Sequence, residues 1–273
     1  MISFPNAKVN IGLYITQKRP DGFHNIETVF LPIPNLCDIL EIIPTTNQNR
    51  PLKFSQSGLQ VDSHTDDNLC VKAHYLISQK TFLPNVAIHL HKQIPMGAGL
   101  GGGSADGAFA LEMLNNIAEE PLLSTDLANL ALKLGSDCPF FLTNKPSLGA
   151  GQGELLKPIS LDLNGHYIAL VNPAIHVNTG EAYKQSKPAP AKFNLETLSD
   201  LPVERWKDHV ENDFERVVFP KHPLVKSIKD QLYSMGAAYA SMSGSGSTVF
   251  GIFKNYPNVS NYFRSMFTHV SEL

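Results

Sequence analysis

The chain has 273 residues, of which 42% are apolar and 17% charged, and its formal net charge is −3. That is enough for one large domain or two lobes with a proper core, and it excludes a disordered chain and any broad basic surface for nucleic acid. Cys37, Cys70 and Cys138 are too few and too widely spaced for a disulfide framework or a zinc site. No run of about 18 apolar residues predicts a membrane span, and residues 1–10 have neither the basic nor the apolar part of a signal peptide; the expected compartment is the cytoplasm.

Residues 7–15 alternate, with Val9, Ile11, Leu13 and Ile15 on one face and Lys8, Asn10, Gly12 and Tyr14 on the other, so they predict a strand. Lys18-Arg19-Pro20-Asp21-Gly22 reads as a turn, and the apolar stretch 29–33 completes a hairpin. Residues 86–90 alternate again. His89 and His91 share a face there, and with no third ligand at a telling distance they read as a polar face rather than a metal site. Ala110, Met113, Leu114 and Ile117 predict a helix. So do Leu127, Leu130, Ala131 and Leu134, with Ser124 as N-cap and Gly135 as C-cap. Proline and glycine become dense over 144–158, which suggests a lobe boundary. Beyond it come a strand near 166–171, a surface loop at 184–192 and a helix through Val225, Ile228, Leu232 and Met235. A Ser/Gly turn at 243–247 is flanked by strands, and Val259, Tyr262, Phe263 and Met266 predict a last helix. The fold class is α+β.

The segment 95–106 carries the chemistry. It reads Pro-Met-Gly-Ala-Gly-Leu-Gly-Gly-Gly-Ser-Ala-Asp, with five glycines between Gly97 and Gly103. Such density is unfavourable unless the backbone must adopt positive φ or approach something closely. A helical pattern follows at once, and N–H groups at a helix start form an anion site. A phosphorylated substrate could therefore be met locally, by backbone and one or two lysines. The P-loop pattern fails because no lysine follows the glycines. Gly97, Gly99 and Gly102 do fit Gly-x-Gly-x-x-Gly, but the preceding strand alternates, and no second strand ending in an acid follows about 20 residues on. A flexible linker would rarely follow an amphipathic strand and enter an apolar helix. On their own residues, Lys8 reads first as a solvated strand lysine and Asp137 as a helix N-cap ahead of Pro139.

Pro95, Gly99, Leu100, Gly101 and Ser104 match the Pro-x-x-x-Gly-Leu-Gly-x-x-Ser loop, which resembles the GHMP kinase superfamily. The triple glycine before Ser104 is similar to one branch of it, which phosphorylates the 2-hydroxyl of 4-diphosphocytidyl-2-C-methyl-D-erythritol in non-mevalonate isoprenoid synthesis. So are Ala7-Lys8-Val9-Asn10-Ile11, Arg19-Pro20-Asp21-Gly22-Phe23-His24 with Thr28-Val29-Phe30, and Leu134-Gly135-Ser136-Asp137-Cys138-Pro139-Phe140-Phe141, while Met242-Ser243-Gly244-Ser245-Gly246-Ser247 resembles the superfamily's third motif, all in that order along the chain. The resemblance implies a two-lobed fold with domains 1–153 and 154–273 and both substrates in the cleft between them. It implies an ATP-dependent kinase; magnesium is expected because ATP brings it, and the sequence identifies no protein ligand for it.

By that resemblance Asp137 is the general base and Lys8 its cationic partner. Asn10 orients the acceptor, His24 reads the cytosine edge, Phe23 and Tyr183 sandwich the base, and Thr179 lines the pocket. ATP would lie on Pro95, Met96, Gly97, Ala98, Gly99, Leu100, Gly101, Gly102, Gly103, Ser104 and Ala105, with Asn68 and Lys92 beside it. Ala105 departs from the family's second serine and Phe23 from its tyrosine. The rival readings are a kinase of the superfamily with a non-nucleotide acceptor, a nicotinamide-dependent oxidoreductase, and a non-catalytic nucleotide-binding module. Oligomeric state is left open by the sequence.

Overall fold

A computed structural model describes residues 1–46, 51–60 and 64–273. It forms two compact units that interleave along the chain. The first comprises Met1–Ala7, Pro34–Met96 and Gly101–Asn144; the second comprises Lys8–Ile33, Gly97–Leu100 and Lys145–Leu273. The spatial units are thus not the consecutive stretches 1–153 and 154–273. The chain enters the second unit at Lys8 and again for four residues inside the glycine segment.

The first unit holds a sheet in the order Ile2–Ser3, Ile39–Pro44, Val86–Lys92, Leu52–Gly58. The last pair is parallel and the others are antiparallel. Val86–Lys92 alternates buried and half-buried, as its sequence pattern requires. Its helices are Leu69–Ser78, Gly102–Asn116, Ser124–Leu134 and Cys138–Thr143, packed on one another. Gly102–Asn116 starts within the glycine segment, and its N-cap Gly101 has φ 70°. The expected N-cap Ser124 is instead the first helical residue, because Leu123 holds the extended cap position. Gly135 does occupy the C-cap of that helix.

The second unit has one sheet in the order Asn6–Lys18, His24–Cys37, Ser147–Ala150, Leu155–Pro158. The other runs Tyr239–Met242, Val249–Phe253, Tyr167–Asn172, Phe267–Glu272, all antiparallel. The helix Pro223–Ser234 covers the second sheet through Val225, Ile228 and Leu232. The expected last helix is a correction. Val259–Asn261 is one 3-10 turn, and Phe267–Glu272 is an edge strand paired with Tyr167–Asn172. Asn258, Ser260 and Asn261 are weak helix formers, and pairing on an open sheet edge outweighs the helical spacing.

Candidate active site

In the second unit the strand Asn6–Lys18 is buried on both faces from Asn6 to Ile15. The face carrying Lys8 and Asn10 is therefore inside the protein; Lys8 is only 3% exposed, so it is not a solvated strand lysine. A buried ammonium needs polar partners. The Lys8 Nζ donates to Asn10 Oδ1 at 2.6 Å and to the Gly99 carbonyl at 3.3 Å, and it stands over the Phe30 ring at 5.4 Å. Asn10 Nδ2 donates to Thr28 Oγ1, and Thr28 Oγ1 donates to the Gly12 carbonyl. This chain of bonds fixes the Asn10 amide with its oxygen towards Lys8.

The turn after Tyr239–Met242 joins the same network. Ser243 Oγ accepts from the Asn10 N–H at 3.2 Å and donates to the Gly99 carbonyl at 2.7 Å. Gly99 has φ +79°, and a Cβ there would run into the Ser243 carbonyl oxygen. Gly97–Leu100 thus lies in van der Waals contact with the second glycine turn, which only an unsubstituted backbone permits. The Leu100 carbonyl takes the Lys8 N–H at 2.9 Å, and the Ala98 carbonyl takes the Thr248 N–H at 3.1 Å. Thr179 opens the helix Thr179–Gln185 and shares a 2.8 Å hydroxyl contact with Ser245.

His24 and Tyr183 are stacked at 5.0 Å and 16°, and Tyr183 meets Phe214 edge-on at 4.8 Å. Burial lowers the His24 pKa, helped by the Lys18 charge. The ring is neutral at pH 7, one nitrogen a donor and the other an acceptor. Phe23 is 58% exposed at the end of its turn, where Asp21 accepts its N–H, and His24 takes the stacking place on Tyr183.

In the first unit, Pro95 is half-buried and Met96 exposed, and the first turn of Gly102–Asn116 contains Gly102, Gly103, Ser104 and Ala105. Ala105 is fully buried. The Ser104 hydroxyl bonds the Cys138 thiol; burial dominates and pushes that thiol up to about 12, with the Asp137 charge adding to it. Ser104, Cys138 and Asp137 are therefore neighbours. Asp137 does sit at the N-cap of Cys138–Thr143, yet its side chain makes no capping bond. Asn68 is the N-cap of Leu69–Ser78, and its Oδ1 accepts from the Cys70 N–H at 2.9 Å.

Lys92, expected beside ATP, is buried. It is 1% exposed, and its ammonium bonds Asp38 Oδ2 and, at 2.7 Å, Asp106 Oδ2. Asp38 Oδ1 also accepts the N–H groups of Gln93 and Ile94 at 2.6 and 2.9 Å. The chain before Pro95 and the helix after Ser104 are thereby tied together, so Lys92 braces the loop from beneath. Burial raises the Asp106 pKa more than the Lys92 charge lowers it. His89 and His91 bond Ser55 and Ser57 as a polar ladder. Among the described residues no group of three or more His, Cys, Asp or Glu gathers to hold a metal, and no helix is long and apolar enough to cross a membrane.

Sequence reasoning assigns no role to Thr28, Ser243 or Asp38. Their partners lie 18, 233 and 54 positions away. Thr28 and Ser243 do fall inside quoted motifs; Asp38 carries no motif signal.

Comparison with known proteins agrees with this architecture. The model "GHMP kinases N terminal domain" matches residues 68–145, and "GHMP kinases C terminal" matches residues 197–270. A 4-diphosphocytidyl-2-C-methyl-D-erythritol kinase from Bacteroides fragilis is 47% identical over 274 residues, covering 100% of both chains. One from Parabacteroides distasonis is 47% identical, covering 93% of this chain and 92% of its own. The crystal structure of a 4-(cytidine 5'-diphospho)-2C-methyl-D-erythritol kinase superposes with a TM-score of 0.83 at 30% identity, covering 100% of both chains. The chain belongs to the GHMP kinases, and within them to the family of 4-diphosphocytidyl-2-C-methyl-D-erythritol kinases.

Proposed function

We propose that this protein transfers the γ-phosphoryl group of ATP directly to the 2-hydroxyl of 4-diphosphocytidyl-2-C-methyl-D-erythritol, with magnesium brought by ATP. The observation that carries the reading is the buried Lys8–Asn10 pair bound to the Gly99 carbonyl. A buried cation held against a glycine-rich backbone is suited to a transfer whose loose transition state needs positioning and charge neutralisation above all.

The roles follow from chemistry. Asp137 takes the proton of the attacking hydroxyl; its carboxylate is not consumed by the helix cap it occupies. Lys8 neutralises developing charge, and Asn10, held by Thr28, orients the acceptor. The N–H groups at the start of Gly102–Asn116, with Ser104, receive phosphate oxygens. Magnesium is bound mainly by phosphates and water, which suits a site with few carboxylates. Neutral His24, with Tyr183 behind it, reads the pyrimidine edge; an acceptor without a base would give this pair nothing to bind. As sequence domains, 1–153 and 154–273 are the N- and C-terminal kinase domains, each containing one matched region. The site of action is the cytoplasm.

ADP release across a panel of acceptors tests the reading. Turnover is expected with the cytidylate and not with mevalonate, homoserine or galactose. Turnover confined to one of those three would leave a kinase with a different acceptor.

A further inference from the structure

Asn212 lies outside every motif discussed above, yet it is 2% exposed and fully hydrogen-bonded. Its Nδ2 donates to the Met242 carbonyl at 2.7 Å and to the Gly244 carbonyl at 2.9 Å. Its Oδ1 accepts the Phe214 N–H at 2.9 Å. The segment around it is sewn to the strand of Lys8. The Leu13 N–H donates to the Glu211 carbonyl, the Asp213 N–H to the Leu13 carbonyl, and the Ile15 N–H to Asp213 Oδ2.

The two carbonyls that Asn212 holds flank Ser243. That residue bonds both Asn10 and Gly99. Gly244 has φ +55°, and a Cβ there would crowd Asn10 Oδ1 at 3.3 Å. One amide therefore couples the strand bearing Lys8 and Asn10 to the turn that presses on Gly99. An asparagine is needed because two carbonyls and one N–H must be met at a single buried point, and only a side-chain amide offers two donors and an acceptor at that length.

We infer that Asn212 is a positioning residue for the phosphate loop, holding the turn 242–244 so that Ser243 can fix Gly99. This rests on the active-site reading above. Without Asn212 the turn keeps its strands but loses its register against Gly99, so the loop binds ATP poorly while the fold persists.

The test is a double-mutant cycle between Asn212→Asp and Ser243→Ala, read as kcat/KM for ATP at a temperature where circular dichroism shows each variant folded. The aspartate substitution is isosteric: it keeps the acceptor for the Phe214 N–H and loses both donors. Each single variant is expected to lower kcat/KM for ATP by about 10- to 100-fold, the loss typical of buried carbonyls left unpaired. In the Ser243→Ala background the Asn212→Asp effect should shrink to roughly threefold or less, because the two act through one contact. Should the aspartate variant fail to fold, Asn212→Ser, which keeps one short donor, enters the same cycle with the same expectation. Full additivity, or an impaired Ser243→Ala beside a wild-type-like Asn212 variant, overturns the inference and leaves the site reading intact. A wild-type-like Ser243→Ala likewise overturns the inference and leaves the Lys8–Asn10 reading standing, whereas a wild-type enzyme that forms no ADP with the cytidylate removes the site reading and this inference with it.

Discussion

The Lys8 ammonium and the Asn10 amide oxygen are 2.6 Å apart, on one strand face, two residues from each other and almost fully buried. Period-two geometry places the two side chains side by side, and burial makes each depend on the other. Removing Asn10 takes a short, well-placed acceptor from a buried cation, whose bond to the Gly99 carbonyl is longer at 3.3 Å. Asn10→Ala is expected to lower kcat by about 10- to 100-fold, and Lys8→Met by about 10²- to 10³-fold. Steady-state kinetics on folded variants check both; a Lys8→Met enzyme with near-normal kcat removes Lys8 from the chemistry.

Asp137→Asn keeps shape and cap position while losing the base. The expected fall in kcat is about 10²- to 10⁴-fold, with ATP affinity by calorimetry unchanged. A variant retaining most of its kcat shows that the proton leaves by another route.

Two glycines of the loop should respond differently to alanine. At Gly99 a methyl group would strike the Ser243 carbonyl oxygen, whereas at Gly97 the nearest atom is His176 Nδ1 at 3.7 Å. Both have positive φ, a strain of about 1–2 kcal/mol for alanine. Gly97→Ala should therefore cost a few-fold in KM for ATP, and Gly99→Ala at least ten times more, or the fold itself. Equal effects would mean that the approach to Ser243 is unimportant.

The buried group Asp38, Lys92 and Asp106 makes stability depend on pH. Burial outweighs the Lys92 charge and raises Asp106 from 3.8 to about 8. The folded state holds that proton more tightly than the unfolded chain. The stability it brings is full below about pH 4 and is lost as pH rises through about 8. Lys92 is raised from 10.5, so its contribution stays full across this window and fades only above it. Asp106→Asn removes the ionising group. The variant's Tm relative to wild type should climb steadily between about pH 5 and pH 8.5. A difference independent of pH contradicts this account of the cluster.

His24 stacked on Tyr183 makes acceptor recognition separable from ATP binding. His24→Ala and Tyr183→Ala are expected to raise KM for the cytidylate acceptor about 10-fold, in the range of one lost stacking or edge contact, and to leave KM for ATP within about twofold. A parallel rise in both constants would place the pair elsewhere in the mechanism.

Much of this arrangement is legible along the chain because its signals are local. Alternation places Lys8 beside Asn10, and the glycines of 97–103 announce close approach. Pro139 marks a helix start just after Asp137. What is not legible depends on distant pairing. The burial of Lys92 is hidden because Asp38 and Asp106, 54 and 14 positions away, carry no shared pattern with it. Ser243 and Asn212 matter through backbone carbonyls, which have no residue identity to read. The strand Phe267–Glu272 exists only because Tyr167–Asn172 offers it an edge.

In the proposed reaction phosphate reaches one hydroxyl of one acceptor. Coupled phosphorus and carbon NMR of the product from 4-diphosphocytidyl-2-C-methyl-D-erythritol and ATP reads this directly. The expected product is a new phosphate monoester whose phosphorus couples to carbon 2 and its neighbours, formed one for one with ADP. A phosphorus signal coupled to another carbon, or ADP formed without any new ester, would contradict it.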